Sequence, residues 1–166
     1  MSAASNEVAP VVSRMQPEEA EAVNQLFCEI VEKLPYYNEL AKRSEIAKYS
    51  VEALRASSSN DSESVLVAKV GDQVVGFCFS NSDDGLVWLA WFGVHSSFRR
   101  QGVGSVLLEK LEETVRNGRS HKIWCDCRTE NEDSKFTLSK HGYLQICTVR
   151  NHWYGQDFIL WEKLVA

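Results

Sequence analysis

No apolar run in this 166-residue chain approaches the roughly 20 residues a helix needs to cross a bilayer. Positive charge is also scarce: 18 Lys and Arg stand against 23 Asp and Glu, a net charge of −5. Nucleic acid is therefore not an expected partner, because neutralising phosphates takes a basic face. The same acidic balance is compatible with a cationic substrate such as an amine. The first six residues are small and polar and lack the charged-then-apolar order of a secretory leader, so the expected location is the cytoplasm. Repeats, low-complexity tracts and linkers are missing as well. The length suits one domain over residues 1–166, with residues 1–8 frayed.

Paired cysteine motifs are absent too. Cys28, Cys78, Cys125, Cys127 and Cys147 form an odd, scattered set mostly inside apolar runs, which reads as reduced, buried thiols rather than a disulfide framework. Cys125-Asp126-Cys127 has no second pair and no neighbouring histidine to complete a zinc set, so no metal is expected. An acyl-cysteine at Cys125 or Cys127 lacks an adjacent histidine, and core thiols are the simpler reading. Two phosphate fingerprints are likewise missing. Nothing spells G-x-x-x-x-G-K-[ST], and the third glycine of a dinucleotide loop is replaced by Leu107.

What the chain does contain is a change of hydrophobic period. Residues 10–14 read as a strand, and Gln16, Pro17, Glu18 and Glu19 start a helix. Val23, Leu26, Phe27, Ile30 and Val31 then recur at helical spacing up to Pro35, and residues 36–57 are helical in pieces. Strands follow at 64–70 and 73–80 around a Gly71-Asp72 hairpin turn, and at 86–94, an apolar run expected to be central and covered on both faces. A helix over 102–117 shows its buried stripe in Val103, Leu107, Leu111 and Val115. A strand at 121–127, a short helix at 131–140 and strands at 143–149 and 157–164 complete the order. The fold class is α+β, or mixed α/β.

Phe98, Arg99, Arg100, Gln101, Gly102, Val103, Gly104 and Ser105 lie between the apolar strand and the amphipathic helix. Two glycines permit a tight turn and close backbone approach, and the following helix offers unpaired N–H groups at its positive end. The loop is either a diphosphate cradle or an ordinary strand-to-helix turn with solvated arginines. Its R-x-x-G-x-G spacing, together with Asn131, Phe136 and Lys140-His141-Gly142-Tyr143 further on, resembles the GNAT superfamily of acyl-CoA-dependent N-acyltransferases.

The resemblance implies a central, mostly antiparallel twisted sheet of about seven strands flanked by about four helices, and acetyl-CoA as cosubstrate with no metal. It places backbone groups of Phe92, Gly93 and Val94 against the thioester and pantetheine, at a splay between this strand and the one ending near Asp126. It places the backbone of Arg99, Arg100, Gln101, Gly102, Val103, Gly104 and Ser105 on the pyrophosphate. Asn131 is implied on the pantetheine arm, with Ser134, Phe136 or Lys140 along the CoA tail; Lys140 also reads as a solvated helix-end cation. The implied reaction is direct attack of a primary amine on the thioester in a ternary complex.

For the general base, Asp126-Cys127-Arg128-Thr129-Glu130-Asn131 resembles the E-V-R-x-x-N of ribosomal-protein alanine acetyltransferases, whose Glu falls at Asp126. The bland alternative is a strand-end Asp bonding the next turn. The family's acid Tyr falls at Leu138, so Tyr143 and Tyr154 are the candidate substitutes, with Ser139 or solvent as others. On the acceptor side, Trp153, Tyr154 and Asp157 resemble a peptide-gripping loop, and equally suit an aromatic hairpin over the core edge. Leu34, Pro35, Tyr36 and Tyr37 with Glu39 and Glu45 form the other wall, which could suit a cation. Peptide and small-molecule amine acceptors both stay open. A second reading is a CoA-binding sensor or interaction module without catalysis, suggested by Leu138 and by the lack of an acidic residue in 88–94. Open sheet edges make a homodimer an expected state.

Overall fold

The computed structural model describes residues 8–165, so the expected fraying of 1–8 lies, for residues 1–7, outside the described residues. In chain order the elements are β1 (Val11–Arg14), α1 (Ala20–Lys33), α2 (Glu39–Lys48), α3 (Val51–Asn60), β2 (Val65–Val70), β3 (Gln73–Asp83), β4 (Leu86–Val94), α4 (Val103–Asn117), β5 (Lys122–Arg128), α5 (Glu132–Lys140), β6 (Leu144–Val149) and β7 (Phe158–Leu164). Three single 3₁₀ turns lie at Pro17–Glu19, Ser96–Phe98 and Trp153–Gly155. The mixed α/β design expected from the sequence is the one that forms. Its described residues hold five α-helices rather than about four, because the stretch after Pro35 divides into α2 and α3. Ser50 makes that division: its hydroxyl accepts from the Ala53 N–H at 3.2 Å and starts a new helix.

The strands form one sheet in the order β1-β2-β3-β4-β5-β7-β6. All neighbours are antiparallel except β4 and β5, which run parallel. Strand periodicity sends alternate residues to opposite faces, and β2 shows it: Leu66 and Ala68 join one core, Val65 and Val67 the other. The first core lies under α4, whose Leu107, Leu108 and Leu111 pack with Leu89, Ile123 and Cys125. The second lies under α1 and α3, where Val23, Phe27 and Leu54 meet Phe77 and Phe79. Phe27 anchors α1 through ring contacts with Tyr49 (5.1 Å), Phe77 (5.7 Å), Phe79 (5.4 Å) and Trp91 (5.2 Å).

Two expectations need correction. β4 is central but not covered along both faces: Trp88 stays half-buried and stacks edge-on against Trp124 at 5.1 Å, with a ring as cover in place of a helix. Of the thiols, Cys78, Cys125 and Cys127 are buried, Cys28 is half-buried, and Cys147 is exposed on β6, the sheet's last strand.

One irregularity shapes the site. Phe79 pairs with Trp91 and Ser80 with Leu89, so Ala90 is an extra residue in β4. Such a bulge bends its strand and sharpens the twist. On the other side of β4, the ladder to β5 stops at Leu89 and Cys125. Beyond that point β4 stays paired to β3 as far as Val94, and β5 to β7 as far as Arg128. A wedge therefore opens between residues 90–94 and residues 126–128.

Replacing Phe27 with Ala should cost about 3–5 kcal/mol of stability, the range for deleting a buried Phe. Urea unfolding followed by circular dichroism checks this through the midpoint at an unchanged slope.

Candidate active site

The backbone lining the wedge is set by strand geometry. Amide groups along a strand point alternately to either neighbour. The His95 N–H donates to the Val75 carbonyl on β3 at 2.8 Å, and the register is unbroken from Trp91 to Val94. The N–H groups of Phe92 and Val94 consequently face the wedge. Gly93, expected alongside them, faces the other way: its amide belongs to the ladder opposite Phe77. Its missing side chain serves packing instead. A Cβ there would meet Phe77 Cζ at 2.7 Å and Ile30 Cδ1 at 3.0 Å.

Past the end of β4 the chain turns into α4 through two left-handed residues, Arg100 (φ 60°) and Gly102 (φ 81°). No side chain caps α4 and no acidic residue lies in its first turn, whereas Asn38, Ser50 and Asn131 cap α2, α3 and α5. The first bond within α4 runs from the Val106 N–H to the Gly102 carbonyl at 3.0 Å. The N–H groups of Val103, Gly104 and Ser105 thus lack helical partners at the positive end of the dipole. A Cβ on Gly102 would meet nothing within 4 Å, and one on Gly104 only Val94 Cγ2 at 3.8 Å. An open ring of donors of this kind fits a diphosphate.

The side chains around this ring are tied back to the protein. Arg99 Nε donates to the Val94 carbonyl at 3.3 Å, and Gln101 Nε2 to the Ser97 carbonyl at 3.1 Å. Ser105 Oγ lies 3.0 Å from His141 Nε2, joining the first turn of α4 to the end of α5. Asn131 accepts from the Ser134 N–H at 3.0 Å, so its side-chain oxygen is committed to capping α5. Phe136 is 71% exposed on α5, and Lys140 is exposed at its end.

On the opposite face, Asp126 stands at the mouth of the wedge, just after the last β4–β5 pair. Burial pushes its carboxyl up to about 6; a hydrogen bond from Trp153 and the nearby His152 oppose the shift, and the charge of Glu45 adds to it. Trp153 Nε1–H donates to Asp126 Oδ2 at 2.7 Å. The next residue, Tyr154, donates its hydroxyl to Glu45 Oε1 at 2.6 Å, and Trp91 Nε1–H donates to Glu45 Oε2 at 2.8 Å. Partial burial, with the bond to Glu45 and its charge, pushes Tyr154 up to about 12. Tyr37 packs between Trp91 (5.6 Å) and Phe158 (6.4 Å), closing an aromatic chamber around the two carboxylates.

Arg128 fastens the chamber's loops. It is 5% exposed, and its guanidinium donates to the carbonyls of Tyr36 and Asp157 and to Glu130. Asp157 accepts from the Asn151 N–H at 2.8 Å through one carboxylate oxygen, which braces the loop. Arg128 and Glu45 are the residues that the sequence reading undervalued. Period 2 along β5 puts Trp124, Asp126 and Arg128 on one face, a signal that could have singled out the arginine. Nothing local marks Glu45 beyond its charge.

Tyr143 leaves the set of candidate acids. It is 3% exposed within the core under α4, its hydroxyl has no hydrogen-bond partner, and burial pushes it far above the ordinary tyrosine range. A proton donor needs contact with the leaving group, and this one is sealed off. Leu138 is buried beside it. Cys125 and Cys127 are held well above the usual thiol range by burial, the latter at about 11, so neither is an activated nucleophile. Among the described residues no group of three or more His, Cys, Asp or Glu could hold a metal ion, and no helix is long and apolar enough to cross a membrane.

The raised Asp126 value has a consequence for stability. An acid whose value is higher folded than unfolded favours folding below its unfolded value, near 4, and loses that contribution as pH rises through about 6. Asp126→Asn should therefore stabilise the protein by about 2–3 kcal/mol at pH 8 and by little at pH 4. Denaturant unfolding of both proteins at the two pH values measures it.

The acetyltransferase (GNAT) family model matches residues 27–143. No curated protein matches the chain. Among solved structures, the PaiA N-acetyltransferase of Thermoplasma acidophilum, in complex with coenzyme A, superposes with a TM-score of 0.79 at 21% identity, covering 94% of this chain and 99% of that one. Ard1 from Thermoplasma volcanium gives 0.77 at 20% identity over 96% and 99%. The ribosomal-protein-S18-alanine N-acetyltransferase of Escherichia coli gives 0.71 at 15% identity over 95% of each chain. These likenesses are to the fold. With the family match running from within α1 to the residue before β6, the chain belongs to the acetyltransferase (GNAT) family.

Proposed function

We propose that this protein transfers the acetyl group of acetyl-CoA to a primary amine by direct attack in a ternary complex. The observation that carries the reading is the wedge: it brings a carboxylate of raised pKa and a row of free strand amides to one opening. In this reading the N–H groups of Arg100, Gln101, Val103, Gly104 and Ser105 hold the pyrophosphate, with Arg99 and Gly102 shaping the turn. Phe92 pairs its backbone with the pantetheine arm, which passes Asn131 and Ser134, and Val94 faces the thioester. Phe136 and Lys140 flank the tail.

Bound acetyl-CoA supplies a thioester carbonyl, the electrophile. An α-amine titrates near about 8 and a lysine-like amine above about 10, so the acceptor arrives protonated and has to lose a proton. Asp126, at about 6, is ionised at neutral pH and takes that proton, directly or through water. The Val94 N–H steadies the oxygen on which negative charge develops. With Leu138 and Tyr143 buried and the Tyr154 proton given to Glu45, no side chain is assigned as acid. A CoA thiolate, with a pKa of about 8.5, is stable enough to leave and take its proton from water. Five free thiols suit a reducing cytoplasm. The open edge of β6, with exposed Leu144 and Ile146, is the surface on which a homodimer would form.

Release of free CoA in the presence of an amine panel tests the reading. Wild-type kcat/KM should climb with pH through about 6, and Asp126→Asn should lose about 100-fold or more in kcat with little change in KM. An unaltered pH profile in that variant removes Asp126 as the base. CoA binding without turnover on any amine supports the binding-module reading instead. Gly104→Glu, which has room for its Cβ, should fold normally yet weaken CoA binding at least tenfold by calorimetry.

A further inference from the structure

We infer that the acceptor is a compact amine carrying a second cationic group, and that Glu45 is the specificity-determining residue that receives this second charge. The inference rests on the acetyl-transfer reading and names its substrate class.

Neutral donors hold both carboxylates of the chamber. Asp126 accepts from an indole, and Glu45 from an indole and a phenol. Among the described residues neither takes part in an ion pair. The contrast is Glu112, equally buried at 8% exposure, which pairs with Lys163 at 2.8 Å. A buried carboxylate without a cation is unfavourable, and hydrogen bonds from neutral donors fix its position without cancelling its charge. Two such groups from α2 and β5 share one chamber, and the charge of Glu45 makes Asp126 harder to ionise. The missing positive charge is the ligand's to bring.

A single amine cannot neutralise both groups through the reaction. The attacking nitrogen must be uncharged when it meets the thioester, and it delivers its proton to Asp126. The negative charge of Glu45 is then left facing the same molecule, which matches a second cation on that molecule. The chamber walls are aromatic: Tyr36, Tyr37 and Trp91 form a run of ring contacts at 5.6 Å each, side chains of the kind that attract an ammonium group.

Compactness follows from how the two acceptor loops are joined. The Asn38 N–H donates to Gln156 Oε1 at 3.3 Å, Asn38 Nδ2 to the Tyr154 carbonyl at 3.0 Å, and Gln156 Nε2 to the Tyr36 carbonyl at 3.0 Å. These bonds bridge the α1–α2 connection to the β6–β7 loop. A peptide laid between the loops has to break them, whereas a short diamine enters without doing so.

The test compares butylamine, 1,4-diaminobutane and a tripeptide with a free amino terminus as acceptors. CoA release gives kcat/KM, and calorimetric titration into the CoA complex gives binding independently of turnover. The diamine should exceed the monoamine and the tripeptide at least tenfold in both readouts. Glu45→Gln should cut the diamine value at least tenfold more than the monoamine value, mainly through KM. Equal use of monoamine and diamine, a preference for the tripeptide, or an equal loss on all acceptors in Glu45→Gln overturns the inference. Selective diamine binding without turnover supports it while removing the acetyl-transfer reading. The wild-type preference needs no variant, so the test stands even where Glu45→Gln folds poorly.

Discussion

Everything at the site depends on a ladder that stops. β4 and β5 share only four register pairs before Ala90 inserts and the strands separate. Two sets of polar groups come from that one event. The wedge-facing amides of Phe92 and Val94 lose their strand partner, which an unsatisfied backbone tolerates only where water or a ligand replaces it. Asp126, the first residue of β5 past the separation, gains an opening to solvent while remaining among aromatic rings. Had the ladder continued, both would be ordinary sheet positions.

The electrostatic character of the acceptor side rests on a division of labour among arginine, indoles and phenols. Arg128, the one buried guanidinium near the chamber among the described residues, spends its donors on two carbonyls and Glu130. It ties loops together, and the carboxylate it pairs with is Glu130 rather than Asp126 or Glu45. Asp126 and Glu45 take their hydrogen bonds from Trp153, Trp91 and Tyr154, which orient but do not neutralise, and among the described residues only His152 acts on Asp126 as a nearby positive charge. A lysine in place of Trp153 would pin Asp126 as a structural ion pair and lower its pKa, and one in place of Trp91 or Tyr154 would do the pinning at Glu45.

Legibility from sequence was uneven, for physical reasons. Helix and strand periods are local, so Val23 to Val31 in α1 and Val103 to Val115 in α4 announced themselves, as did the Gly-rich turn between β4 and α4. The bulge at Ala90 left no trace, because alanine fits a regular strand as well as an irregular one. The orientation of Gly93 was beyond reach for the same reason: which side an amide faces depends on register. Tyr143 looked usable because a tyrosine after Gly142 reads alike whether its ring turns inward or outward. Glu45 touches partners 46 and 109 residues away, a relation that no window along the chain contains.

The order of strands has a bearing on how this molecule is made. β7 follows β6 along the chain yet lies between β6 and β5 in the sheet. When β6 leaves the ribosome it has no neighbour to pair with, and its exposed Leu144 and Ile146 wait in solvent. Only when β7 emerges can it dock on β5 and carry β6 in beside it. The loop with Trp153 and Tyr154 is drawn onto Asp126 and Glu45 in that same step. The core under α4 takes Ile159 and Trp161 from β7 as well, so both the packing beneath that helix and the chamber around Asp126 and Glu45 wait for the same strand.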